Sequence, residues 1–331
     1  VKRARVELPV AGVRAMAWVA GGLVDIAGGW RPLYPDLRAA CFPAYGPQFD
    51  AAVASPSGDL CALVASVGTA GLLLGPDGRV QRELHRGDYH ADAYRYPIAL
   101  FTLPDGRTGL VHCPHQYNRL EVEVAATGSP LTTRDDPDLA DVFHSRLAVS
   151  GDGGLLLSAG WLWHPWGSLH VYDLSHALIE PRILDGFGDV FDLRGLIQAE
   201  VAGACFIDRD VVVSTTSEEN DPDGPDDLAP NGLARWSTSE RRFLWHHTFE
   251  VSPGDLVPFD GNILALNGHP RLYEAASGRL IQEWPDLPTG VSDSSITWSN
   301  TLRGPGRIAI DSRSDRFAYT DETRVVIIED A

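Results

Sequence analysis

A short apolar run, a tight turn and a second apolar run recur along the chain, and this repetition constrains the fold more than any single residue does. The clearest copies are Ala51-Ala-Val-Ala-Ser-Pro-Ser-Gly58 before Leu60-Cys-Ala-Leu-Val64, Ile98-Ala-Leu-Phe-Thr-Leu-Pro-Asp-Gly106 before Gly109-Leu-Val111, and Leu147-Ala-Val-Ser-Gly-Asp-Gly153 before Leu155-Leu-Leu157. Each reads as a β-hairpin, because β-prone strands flank Gly, Asp and Ser residues that supply the turn conformations. Weaker copies centre on Gly21, Arg209, Gly261 and Ser314, so the seven turns lie 37 to 56 residues apart. Short strands repeated at that period are the mark of radial repetition, in which each unit is a four-stranded antiparallel blade. The reading is therefore an all-β, seven-bladed β-propeller forming one domain over 1–331, with an acidic loop insertion at 217–231.

The second half of each unit carries its own pattern. Leu120-Glu-Val-Glu-Val-Ala-Ala-Thr-Gly128 parallels Leu272-Tyr-Glu-Ala-Ala-Ser-Gly278, and Leu169-His-Val-Tyr-Asp173 and Leu233-Ala-Arg-Trp236 take the same place. A hydrophobic-aromatic-acid strand end followed by Thr/Ser-Gly resembles the WD-repeat propellers, so the chain is similar to a degenerate member of that superfamily over essentially its full length. It departs from them at the Gly-His pair before each first strand, which is missing. The resemblance implies architecture and little about activity, since one fold hosts many functions. Ring closure follows from a different observation. Residues 2–8 alternate as a strand, while the final unit offers strands only near 308–310, 317–319 and 325–328. An open sheet edge invites aggregation, so the N-terminal strand is expected to complete the last blade beside 324–329.

Charge narrows the partners. Lys and Arg total 27 against 45 Asp and Glu, a net charge of −18, which repels phosphate backbones and anionic lipid headgroups. Nucleic acid and membrane are not expected as partners, and no apolar run is long enough to span a bilayer. Residues 1–8 lack the apolar core of a signal peptide. Cys41, Cys61, Cys113 and Cys205 form no CxxC pair, and three lie in apolar strand-like runs where a thiol behaves as a small hydrophobe. A monomer in a reducing cytoplasm is the expected state.

In a propeller the second-to-third-strand loops and the blade-to-blade connections emerge on one face around the central channel, here called the upper face, and function concentrates on such loops. Three neighbouring segments there are rich in aromatic and histidine residues. Tyr89, His90, Tyr94 and Arg95 lead into the third blade, His115, Tyr117, Asn118 and Arg119 form its loop, and Trp161, Trp163, His164 and Trp166 form that of the fourth. Such rings bury large areas at little entropic cost, as ligand pockets and interface anchors require. The competing reading is that the tryptophans wedge between blades and the histidines satisfy loop backbones. The function expected is a binding or scaffold propeller holding a protein, peptide or small-molecule partner on this face. The alternative is a propeller enzyme, a hydrolase, lyase or cyclase, using His, Asp or Tyr at the channel mouth.

Chemistry beyond binding is not spelled out. His112, His115, His144, His164 and His269 could converge on a metal, but His112-Cys-Pro-His115 is broken by Pro114 and no HExxH or paired CxxC pattern accompanies it, so no metal or other cofactor is expected. Asp221-Pro-Asp-Gly-Pro-Asp-Asp227 shares an Asp-x-Asp-Gly core with calcium loops, yet its prolines and missing terminal Glu favour a solvated acidic loop. Asp88 with His90 is a conceivable acid–base pair, with Arg95 to bind an anionic group. Cys113 between His112 and His115 would serve as a nucleophile only if exposed and ionised.

Overall fold

The hairpin turns fall where the repeat places them. Left-handed backbone occurs at Gly21, Gly58, Gly106, Gly153, Asp208, Gly261 and Asp315, each at or beside one of the seven turn positions. The structure, a computed structural model, describes residues 3–135, 138–163, 166–192, 199–219, 228–292, 294, 307–311, 313–321 and 323–330. These residues form seven antiparallel sheets in ring order, the blades of a β-propeller. Six are four-stranded; the first pairs Met16–Val19, Gly22–Asp25 and Arg31–Tyr34. Residues 38–45 cover the outside of that first blade, donating from Arg38, Cys41, Phe42 and Tyr45 N–H to the carbonyls of Pro32, Gly29 and Ala27. Among the described residues no helix is long and apolar enough to cross a membrane.

Burial of the first strand varies from blade to blade: it is half-exposed in Ala51–Ala54 and Leu147–Val149 and buried in Met16–Val19 and Ala199–Ile207. The second strand is closed in on both faces, as in Cys61–Val64 and Thr108–His112. The hydrophobic core is accordingly seven separate layers, each between two neighbouring blades: Leu63 and Leu74 meet Ala17 and Trp30 between blades 1 and 2, and Phe101 and Val122 meet Leu156 and Tyr172 between blades 3 and 4. The layer between blades 7 and 1 joins Ala318 and Ile327 to Trp18 and Leu33, which makes the ring continuous. Trp18 Nε1–H donates to Ala309 O at 3.1 Å, and the Arg316 guanidinium lies 4.0 Å from its ring centre.

Closure follows the expected scheme. Arg3–Leu8 pairs antiparallel with Val325–Asp330, from Arg3 opposite Asp330 to Leu8 opposite Val325, as the outermost strand of the seventh blade. The Arg3 side chain, only 3% exposed, anchors this clasp to two blades, pairing with Asp330 at 2.9 Å and with Asp260 of blade 6 at 2.5 Å. Val6 and Leu8 cover the layer below. Deletion of residues 1–8 is expected to expose the strand Val325–Asp330 along its whole edge, lowering the melting temperature and promoting aggregation. Differential scanning calorimetry with light scattering checks this; an unchanged melting temperature would show that the clasp is dispensable.

Candidate functional site on the upper face

All three neighbouring segments, with the connection into blade 4, meet at a single side chain. Phe143 is fully buried and lies against five other rings: Tyr117 at 4.4 Å between centroids, Trp161 at 4.8 Å, Tyr94 at 5.3 Å, Tyr89 at 5.8 Å and His90 at 5.9 Å. Tyr89 also contacts His90 at 4.5 Å and Tyr117 at 5.1 Å. The rings grade from interior to solvent, with Trp161 and Tyr94 3% and 1% exposed and Tyr89 49% exposed.

Local backbone explains how the cluster assembles. The second and third strands of blade 4 run on to Leu155–Trp163 and Trp166–Asp173, so Trp161 lies in a strand rather than in a loop. Its N–H donates to Phe143 O at 3.0 Å and its carbonyl accepts Phe143 N–H at 2.7 Å. This approach requires Gly160, because a Cβ there would collide with the Phe143 carbonyl oxygen. The connection into blade 3 is shaped by Arg86, which is buried and donates to Gly68 O at 2.7 Å, Ala91 O at 2.6 Å, Tyr94 O at 3.0 Å and Arg95 O at 3.3 Å. Its guanidinium also covers the Tyr94 and Tyr96 rings, at 4.5 and 5.1 Å. One arginine thus holds 86–96 in a closed loop and presents Tyr89 at its outer turn.

The remaining candidates divide. Tyr117 Oη–H donates to Asp141 at 2.5 Å, and burial followed by that carboxylate pushes its phenol up from the ordinary value. Asn118 donates to Ala140 O at 3.0 Å, and Arg119 pairs with Glu121 at 2.7 Å; both side chains are engaged in holding their loop. Arg95 turns away from the aromatic cluster and pairs with Asp255. His115 and Asp88 are both exposed. The Trp163 and Trp166 backbones pair across the hairpin, their side chains and His164 lie outside the described residues, and so does the acidic stretch 220–227.

Among the described residues the candidate histidines form no metal-holding group, and no three or more His, Cys, Asp or Glu are arranged to hold a metal ion. His144 is buried with Nδ1 3.0 Å from Ser158 Oγ, and His269 Nε2 lies 3.1 Å from Glu283. Burial pushes the Cys61 and Cys205 thiols up to about 12 and the Cys113 thiol higher than its ordinary value, which keeps a thiolate from forming at Cys113. Phe143 and Arg86 are the residues that reading the sequence leaves out of the site. The available signals were Phe143, the one aromatic ring other than histidine in the connection 133–146, and an arginine opening the Tyr-rich connection.

No protein-family model matches the chain, and no curated protein matches it. It is similar in structure to BamB from Moraxella catarrhalis, with a TM-score of 0.53 over 99% of this chain and 98% of that one at 10% sequence identity. At that identity the likeness establishes the propeller fold alone.

The cluster separates two roles by exposure. Phe143→Ala is expected to cost about 3–5 kcal/mol of stability, as loss of a buried aromatic does, while Tyr89→Ala stays within about 0.5 kcal/mol; urea unfolding of both variants checks this. A second expectation concerns acid. Burial, with Arg82 and His115 nearby, depresses His112 from 6.5 to about 3, and its ring nitrogens have no hydrogen-bond partner while Glu123, 3.5 Å away, already pairs with Arg82 at 2.6 Å. The unfolded chain therefore takes up a proton that the folded one refuses, so stability present above pH 6.5 is lost as pH falls toward 3. His112→Phe is expected to flatten that decline, read as a smaller drop in unfolding free energy between those limits.

Proposed function

We propose that the chain is a binding propeller that holds a protein or peptide partner on its upper face, anchored at the ring cluster around Phe143. One observation carries this reading: Tyr89 stands half-exposed at the outer turn of a loop fixed from within by Arg86, its ring packed on Tyr117, His90 and Phe143. A large, amphipathic ring that is already immobilised has little side-chain entropy left to lose on binding, which is what interface anchors need. The exposed Tyr89 is one of the largest apolar side chains the described surface presents. Binding is favoured over catalysis because the residues an enzyme would use here are engaged otherwise: His144 is held near 3 by burial, Cys113 is closed off, and Arg95 is paired.

The finer parts of the reading have separate supports. A WD-repeat-like origin rests on the strand ends at Val122–Gly128 positions and their counterparts at 272–278, and a monomer is supported by a clasp that completes the last blade within one chain. A cytoplasmic setting rests on the cysteine pattern, three thiols serving as buried apolar side chains.

Selection of a displayed random-peptide library on the intact protein tests the proposal. Enriched peptides are expected to bind wild type and to lose affinity at least about tenfold, equivalent to 1.4 kcal/mol, on Tyr89→Ala without a change in melting temperature. Peptides that bind the variant equally well, or a library that yields no binder, would overturn it.

A further inference from the structure

Each blade ends in an outer strand with no neighbour on its far side, and such an edge is a template for another chain unless it is short, charged, broken by proline or covered. Among the described residues six of the seven edges are protected in one of these ways. Residues 38–45 cover the first blade. The outer strands of blades 3 and 4, Ser129–Pro130 and Phe191–Asp192, have two residues each, and that of blade 6, Leu280–Glu283, has four. Blades 2 and 7 end in Val80–His85 and Arg3–Leu8, which carry Arg82 and Glu83, and Arg3, Arg5 and Glu7. Blade 5 differs. It ends in seven residues, Arg242–Thr248, whose only Arg, Lys, Asp or Glu is Arg242 at the start. No other element pairs with this outer edge among the described residues, and beyond a bulge at Leu244 the ladder runs regularly from Trp245 to Thr248.

A cavity of about 580 Å³ opens beside this edge, between residues 247–249 of blade 5 and Glu274, Ser277, Arg279 and Leu280 of blade 6. Its blade 5 wall is set in advance. Trp245 Nε1–H donates to Ala275 O at 3.0 Å, His247 Nε2–H donates to Ser277 O at 2.7 Å, and the two rings stack at 5.5 Å. Gly278 lets them close on the blade 6 turn, since a Cβ there would sit 2.6 Å from each ring. Leu244, Leu280 and Ile281 are exposed on the two outer strands, apolar surface that an incoming chain would cover. The charges at the two ends of the strand suit an acid. Arg279 at the cavity rim is 79% exposed and makes no side-chain hydrogen bond among the described residues, because its partner Glu274 stands 3.7 Å away and accepts from Ser277 Oγ. Arg241, exposed just before the strand, has no ion pair among the described residues, while Glu240 beside it is taken by Arg242 at 2.5 Å.

We propose that the outer edge of blade 5, with the cavity beside it, is a docking site for an extended segment of a protein partner. The segment adds as a further strand beside Arg242–Thr248, places one apolar side chain in the cavity and sets acidic side chains against Arg241 and Arg279. Main-chain hydrogen bonds along an open edge supply affinity in such a contact, and a pocket for one of the alternating side chains supplies specificity. The unpaired guanidinium groups select acidic over basic segments. This surface shares no side chain with the aromatic cluster around Phe143 and stands independently of the partner proposed there.

Fluorescence anisotropy of a labelled, end-capped peptide on the intact protein, titrated to about 1 mM, tests the proposal. The probe alternates valine with threonine, with phenylalanine at its centre and glutamate at both ends; one control carries lysine for glutamate and another is N-methylated on alternate peptide groups. Saturable binding of the probe is expected, with slowed hydrogen exchange over 242–248, about tenfold weaker binding of the lysine peptide and none of the N-methylated one. Leu244→Lys and Arg279→Glu are each expected to weaken the probe about tenfold or more at unchanged melting temperature, and Tyr89→Ala to leave it alone. Both substituted side chains are exposed, and Arg279→Glu serves where Leu244→Lys does not fold. No binding of the probe, or equal binding by folded variants, would overturn the site. Equal binding of the lysine peptide would overturn the acidic partner, and equal binding of the N-methylated one the added strand. Self-association in sedimentation velocity that Leu244→Lys abolishes would make the occupant a second copy of this chain and overturn the partner.

Discussion

A blade of this protein has no core of its own. Its apolar side chains stand on both faces of a thin sheet, and each face is dry only while the next blade covers it, as Leu63 and Leu74 are covered by Ala17 and Trp30. Seven such layers in a circle are mutually dependent, because opening any one wets two faces and strains the packing of the rest. The pairing of Arg3–Leu8 with Val325–Asp330 is what turns a stack into a circle. Everything on the upper face inherits its rigidity from that closure, since loops from different blades keep their distances only if the blades do.

Buried arginines perform a second kind of organisation. Arg86 and Arg134 each spend several donors on backbone carbonyls of their connections, and Arg146 on the strand carbonyls Ala159 O and Ala202 O; Arg134, for example, bonds Thr132 O and Leu120 O at 3.1 Å and Asp185 at 2.5 Å. A planar fork is suited to this, because it reaches several carbonyls at once with little further entropy to lose. These side chains convert long blade-to-blade connections into fixed platforms. The aromatic cluster is a product of this device, built on the loop that Arg86 folds.

The sequence carried the architecture openly because turns have strict requirements. Positions such as Gly58, Gly106 and Gly153 demand left-handed backbone, and their spacing counts the blades. Closure was legible for the same reason, since the last unit is one strand short and the first residues alternate. The site was legible only in part. Strands buried on both faces, such as Cys61–Val64, show no alternation, so nothing in the pattern says which residues face a neighbouring blade and which face the channel. Trp161 reads as a loop residue because the blade 4 hairpin runs longer than its relatives, a matter of pairing with Phe143 that only three-dimensional register decides. Likewise the meeting of Arg95 with Asp255, 160 residues apart, follows from ring geometry and leaves no local trace.

The clasp has a consequence for how the molecule bears load. Arg3 stands opposite Asp330, so the two ends of the ring leave from the same end of one strand pair. A pull applied between them would not shear six residue pairs together but would peel them singly, beginning with the Arg3–Asp330 contact and reaching Leu8 and Val325 last. Shear shares force among all bonds of a ladder; peeling concentrates it on one. The ring is thus built with a mechanical seam, along which traction on its ends would part it at low force, blade 7 first.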